Sequence, residues 1–272
     1  CGPGRGAWAR ARVGAGRRAR GAAVALLKRA DLARVFLRSL SLQAAWSFQG
    51  MQSLGFAYAM EPALARLYGA GDAYRRALSR HLEFFNCHPF LAAAVLGSAV
   101  RLEAEGGEGA AHEVRRLKNG LMGPYGAVGD SLYWGALKPL LMVGALHLAY
   151  RGVSWAPAAF VGSFALCNLA GRAYAFVQGY RRGVEVVEAL GRLRLLVWAR
   201  RCRFVCAFLL GGLLAAAYGP TSLGVWEVPA SAWSAAALGL TLATAWVVGR
   251  GVQPAWVVLS ATVLCWGIVA WT

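Results

Sequence analysis

Apolar residues fill positions 204–218, 230–248 and 254–271. These three runs approach or reach the roughly 20 residues that a helix needs to cross a bilayer. Residues 119–139 are as apolar but patterned differently, with five glycines, two prolines, Asp130 and Lys138. A continuous helix disfavours that many breakers, and a lipid-facing one disfavours the charges. Irregular, charged backbone persists at membrane depth where it is buried in protein or lines a wet cavity, and transporters build substrate sites from such segments. The pattern predicts an all-α, polytopic integral membrane protein. It combines re-entrant or broken helices, amphipathic interfacial helices and a C-terminal group of transmembrane helices.

The rest of the chain reads as shorter pieces. Asp31 is placed to cap a helix through Val35, Phe36 and Leu37. Residues 41–60 predict a second helix, on which Gln43, Gln49 and Gln52, with Trp46 between them, form a stripe of amides and an indole at helical spacing. That stripe serves either a polar-lined core or a ligand. Pro62 marks the next helical start. Asp72 caps an amphipathic helix with Tyr74, Ala77, Leu78, Leu82 and Phe85 on one face and Arg75, Arg76, Arg80 and Glu83 on the other. This is the pattern of an interfacial helix, ended at Asn86 to Pro89. Residues 89–102 are apolar but short for a span, which predicts a re-entrant or interfacial piece. Residues 103–118 read as a charged, solvated connection. Residues 153–180 are apolar around Pro157 and Arg172, and residues 181–203 are amphipathic with seven arginines.

Composition sharpens this picture. The chain of 272 residues is 58% hydrophobic, with mean hydropathy +0.47, more apolar than is usual for a soluble domain of this length. Of its net charge of +17, ten bases and a single acid fall within residues 1–40. Residues 1–30 therefore form a basic, disordered cytoplasmic arm, and residues 31–272 the membrane domain. Ahead of membrane segments such charge orients the chain and attracts anionic lipids. No groove-reading motif accompanies it, which argues against nucleic acid. Arg200, Arg201 and Arg203 place the start of the first C-terminal run inside, the base-free loop 219–229 outside and Arg250 inside, so the C-terminus at Thr272 lies outside. The six cysteines are scattered, and His81, Cys87 and His88 match no common zinc spacing. No metal or cofactor is expected. There is no nucleotide-binding loop and no convincing nucleophile–base set, so no catalytic residue is assigned.

Five stretches carry a family resemblance: DLARVFLRS (31–39), LQAAWSFQGMQSLGFAYAM (42–60), RHLEFFNCHPF (80–90), LKNGLMGPYGAVGDSLYWGALKP (117–139) and GYRRG (179–183). Together, in this order, they resemble the IID membrane subunit of the mannose/fructose/sorbose family of bacterial sugar phosphotransferase systems. The resemblance implies an inner-membrane, multi-pass subunit paired with a IIC subunit, with heterodimers assembling as trimers. IIC and IID move a hexose across the membrane. Cytoplasmic IIA and IIB proteins relay the phosphate, and IIB phosphorylates the sugar, so this chain donates none.

Within the matched motifs, Trp46, Gln49, Gln52, Asn86 and Asp130 are the groups suited to a hexose. Amides and a carboxylate hydrogen-bond hydroxyls, and an aromatic ring stacks on the sugar's apolar face. Gly123, Pro124, Gly129, Lys138 and Arg172 are assigned to structure or translocation. Alternatives stay open: Asp130 capping a half-helix, Asn86 satisfying only backbone, and Arg172 pairing with a carbonyl or with an acid of the partner. The chain departs from the family in having Gln49 where a glutamate is usual, Asp130-Ser131 where Asp-Pro is usual, and a short 219–229 loop. Those departures raise a second reading, a degenerate relative that serves regulation or assembly.

Overall fold

The computed structural model describes residues 27–217 and the single positions Gly239 and Ala243, all of them consistent with a helical protein. Apart from those two positions, the second and third C-terminal runs lie outside the described residues, as does most of the basic arm. The helices are α1 (Arg29–Ser39), α2 (Ser53–Tyr68), α3 (Asp72–His81), α4 (Ala92–Gly106), α5 (Ala111–Gly129), α6 (Lys138–Tyr150), α7 (Ala156–Arg182), α8 (Val186–Gly191) and α9 (Leu195–Ala217). Among the described residues there is no β-strand, only two isolated bridges, Ser47 with Met51 and Met51 with Phe85. Residues up to Ala207 form one compact unit and those from Phe208 belong to a second.

Several sequence expectations change in physical detail. Asp31 caps α1 as expected, but from inside the helix. It sits in the first turn, and its carboxylate accepts the Lys28 backbone N–H at 3.0 Å. The helix expected over 41–60 begins only at Ser53. The serines ahead of it bond locally instead: Ser39 and Ser41 hydroxyls donate to the Phe36 and Arg38 carbonyls, and the Ser47 hydroxyl accepts the Gly50 N–H. Such bonds give the backbone an alternative to the helix. Pro62 lies inside α2 rather than at its start. A proline leaves the carbonyl four residues earlier unpaired. Here that carbonyl, Tyr58, accepts from Arg38, which also pairs with Glu61 at 2.5 Å and lies over the Tyr58 ring.

The apolar piece at 89–102, expected as a re-entrant or interfacial segment, packs within the protein. As α4 it is the buried centre of the fold, with twelve of its fifteen residues buried. Its small residues, AAAVLGSAV, let α7 approach until the two backbones touch. A methyl on Gly97 would collide with the Phe176 carbonyl, and one on Gly179 with the Ala94 carbonyl. Ser98 fastens the crossing by donating to the carbonyls of Gly179 (3.3 Å) and Gly183 (2.9 Å).

The segment 119–139 does not break. α5 continues through Pro124 to Gly129, and Asp130–Leu137 then widens into π-helical turns that lead into α6. Two continuous helical paths, Ala92–Tyr150 and Ala156–Gly191, each hold an 18-residue stretch long and apolar enough to cross a membrane. Only 17% of each stretch is buried within the protein, so most of its apolar surface requires a nonaqueous surround. Leu146, Val161, Leu166 and Leu169 are among the exposed side chains there.

Overpacking a closed helix contact costs about 1–3 kcal/mol, whereas alanine for glycine in an open helix gains roughly 0.5–1 kcal/mol. Gly97→Ala and Gly179→Ala should therefore lower the melting temperature of the detergent-solubilised protein. Gly162→Ala, in the open part of α7, should leave it unchanged or raise it. Equal behaviour of all three would contradict the close crossing.

Candidate functional site

Two irregular segments meet beside the π-helical turns. In the first, Ser47 and Met51 close a tight turn through paired backbone bonds of 3.2 and 2.8 Å, with Met51 in the left-handed region at φ 53°. The second, residues 85–88, runs beside it: the Gln52 N–H donates to the Phe85 carbonyl (2.9 Å) and the Phe85 N–H to Gly50 (3.3 Å). The Gln52 side chain completes the pairing. Its Nε2 donates to the Cys87 carbonyl at 2.8 Å, and its Oε1 accepts the Cys87 N–H at 3.2 Å. A buried side-chain amide thus takes the place of a strand neighbour. Both ends of the Gln52 amide, 3% exposed, are engaged in this clamp.

The clamp determines what Asn86 does. Side chains alternate in extended backbone, and Phe85 and Cys87 on either side are buried, so Asn86 faces outward. His88 follows, 2% exposed. Its ring stacks on Tyr133 (5.1 Å between centroids, 17°) and also meets Trp134 and Phe90. Gly129 lies against that ring so closely that any side chain there would overlap it. Burial, then the charge of Arg172, push the His88 imidazole down to about 4, so it stays neutral. Asp130, next to Gly129, is exposed, and its charge reaches Cys87, whose thiol is pushed up to about 12, mainly by burial.

The paired backbones therefore bring Gln49, Gln52 and Asn86 to adjoining loops, with Trp46 on the turn before them, while Asp130 begins the π-helical turns next to Gly129, which lies against His88. Trp46 is 47% exposed and meets Phe48 edge-on at 4.9 Å. The side chains of Gln49, Asn86 and Asp130 have no hydrogen-bond partner among the described residues. The expected helical stripe does not exist, because residues 43–49 lie outside any helix, and the convergence comes from the clamp. Gly123 and Pro124 lie on an exposed part of α5. Lys138 stands over the Trp134 ring at 5.2 Å. Arg172 donates to the Ser39 carbonyl at 3.3 Å and lies over Phe90, with its buried Nε unpartnered. The carbonyl alternative for Arg172 is thus realised. Ser131 gives its carbonyl and hydroxyl to Arg203 (3.3 and 3.2 Å), a contact that proline could make only in part.

A buried polar network supports the cluster from behind, and the sequence reading missed it. Glu103 and Lys118, assigned to a solvated connection, are each 1% exposed. Glu103 accepts from Arg80 Nε and Nη2 (both 2.8 Å), from Tyr68 Oη (2.5 Å) and from His81 Nε2 (2.9 Å). A carboxylate only accepts, so Nε2 carries the hydrogen, and the buried Nδ1 has no partner among the described residues. Lys118 donates to the carbonyls of Arg80 and His81, the end of α3, and lies over Phe56. Burial lowers the His81 pKa against the pull of Glu103. A signal was available: Leu96, Ala99, Val100 and Glu103, like Val114, Leu117, Lys118 and Leu121, follow the i, i+3, i+4, i+7 spacing of one buried face.

This architecture is that of an all-helical membrane protein of the transporter class. The chain is similar to one solved simply as a membrane protein (TM-score 0.70, 31% identity, 90% of this chain and 97% of that one). It is also similar to a chain of the mannose transporter ManYZ in complex with microcin E492 (TM-score 0.55, 31% identity, 90% and 96%). The model of the phosphotransferase-system mannose/fructose/sorbose family IID component matches residues 26–223, and the chain belongs to that family. The mannose-specific EIID component of Escherichia coli K12 is 37% identical over 192 residues, 69% of this chain and 68% of that protein. The fructose permease IID component of Bacillus subtilis is 30% identical over 250 residues, 84% and 90%.

Breaking a buried ion pair by removing one partner costs about 3–5 kcal/mol. Glu103→Gln should therefore destabilise the protein by that order in denaturant or thermal unfolding of the solubilised protein. The pH dependence has a definite sign. His81 is neutral in the fold, while the unfolded chain takes up the proton near pH 6.5. Stability should fall as pH drops below about 6.5, and His81→Gln should flatten that dependence. An unchanged slope in the variant would show that His81 does not contribute.

Proposed function

We propose that this chain is the IID subunit of a sugar-transporting membrane complex, and that with a IIC subunit it forms the path by which a hexose is bound and moved inward. The observation that carries this reading is the loop cluster. Asn86, Asp130 and Gln49 are exposed, with side chains unpartnered among the described residues; Gln49 and Asn86 flank the Gln52 clamp, Asp130 begins the π-helical turns next to Gly129, and the Trp46 indole is on the adjoining turn. This donor, acceptor and ring set suits a hexose. Polar groups at membrane depth require partners, and a IIC subunit in a trimer of heterodimers would enclose them. The sugar emerges to be phosphorylated by IIB, charged by IIA, on the cytoplasmic side. The N-terminus is cytoplasmic and the C-terminus external, by the distribution of bases. Gln49 favours the second reading, a relative kept for assembly or regulation, because a carboxylate there would bind hydroxyls more strongly.

Uptake of labelled glucose, mannose and fructose by cells with and without this chain, partners present, separates the two readings. Asp130→Asn and Asn86→Ala should reduce uptake and leave copurification with IIC intact. Normal transport by both variants would make the cluster structural. Gln49→Glu should tighten hexose binding to the purified complex by about one kcal/mol, or several-fold. An assembled Gln49→Glu complex with unchanged binding of all three sugars would place Gln49 outside the site.

A further inference from the structure

Away from the loop cluster, α1 and the last turns of α7 enclose an open groove of about 760 Å³. Its walls are apolar, formed by Leu32 and Phe36 from α1 and by Phe176 and Val177 from α7. Its charged lining groups are Arg29 and Arg181, and no acid lines it. Both arginines are exposed, and neither guanidinium has a hydrogen bond or ion pair among the described residues. Of the neighbouring bases, Arg182 is engaged with Gln178 and Arg38 with Glu61, while Lys28 adds a further exposed cation beside Arg29. The middle of α7 exposes Val161, Leu166 and Leu169, and its end carries Arg181 and Arg182. This gradient from apolar flank to basic end puts the two arginines at headgroup level when α7 spans the bilayer.

We propose that this groove is a binding site for one anionic phospholipid, its acyl chains along Phe36 and Val177 and its phosphate between Arg29 and Arg181. Charge complementarity selects this occupant. An apolar partner helix would leave the two cations unanswered, and a zwitterionic lipid would oppose its own cation to them. The inference rests on the membrane placement of α7 and not on sugar transport.

The test uses the full chain in its assembled complex, reconstituted in vesicles of equal phosphatidylglycerol and phosphatidylcholine, with a photoreactive acyl chain on one lipid or the other. The phosphatidylglycerol probe should label peptides containing Phe36 and Val177 at least tenfold more than the phosphatidylcholine probe, since a headgroup-level arginine contributes about fivefold. Arg29→Gln/Arg181→Gln should abolish that preference, Ala33→Trp should block labelling by both probes, and Arg75→Gln/Arg76→Gln should change neither. Equal labelling by the two probes in the unaltered complex would overturn the proposal. So would a photoreactive residue at position 33 that captures protein, whether residues 1–26 or a partner helix, instead of lipid. The probe comparison needs no variant to fold, and sugar uptake measured on the same vesicles separates loss of the lipid site from loss of transport.

Discussion

Glu103 is the point on which the folded unit turns. A carboxylate wholly removed from water is tolerated only when its acceptor sites are filled, and four donor groups from three residues on two other helices fill them. Tyr68 comes from the end of α2, Arg80 and His81 from the end of α3, and Glu103 itself from the end of α4. Lys118 of α5 then holds the carbonyls that α3 leaves open at its C-terminus, where a cation is also favoured by the helix dipole. The chain therefore leaves α3 in a fixed direction, and residues 82–88 follow from it.

From that exit, the Gln52 clamp carries order to the surface. It joins a turn whose serines refuse the helix to a segment between two helices, and it does so with one side chain. Asn86 is presented because its neighbours are anchored, and Asp130 because Gly129 gives the His88 ring room to lie against α5. The outward groups themselves contribute little to holding the fold, which leaves them free for chemistry.

Much of this was legible in the sequence, for reasons that differ by region. The apolar runs and breaker-rich segment announced a helical membrane protein, and Gln49, Asn86 and Asp130 were selected because their residue types suit a hexose and they lie within the family motifs. Local patterning misplaced two things. It read residues 41–52 as helix, because hydrophobic period says nothing of serine side chains that bond their own backbone. It also read Glu103 and Lys118 as solvated, because charge was weighed before spacing, although both stand on apolar faces. The clamp was out of reach: nothing local links Gln52 to Cys87, thirty-five positions away.

The π-helical turns at Asp130–Leu137 set the phase of everything after them. In α-helical winding successive residues point about 100° apart. Tyr133 and Trp134 are adjacent, yet both meet the rings of His88 and Phe90. The wider turn accommodates a residue that an α-helical ladder would expel. Removing one residue here would let the winding tighten to α-helical and set Tyr133 and Trp134 about 100° apart, so that only one of them could meet the rings of His88 and Phe90. The extra residue of this short stretch is thus what lets two adjacent rings serve one aromatic cluster, and a deletion here would dissolve that cluster before it disturbed the helix beyond.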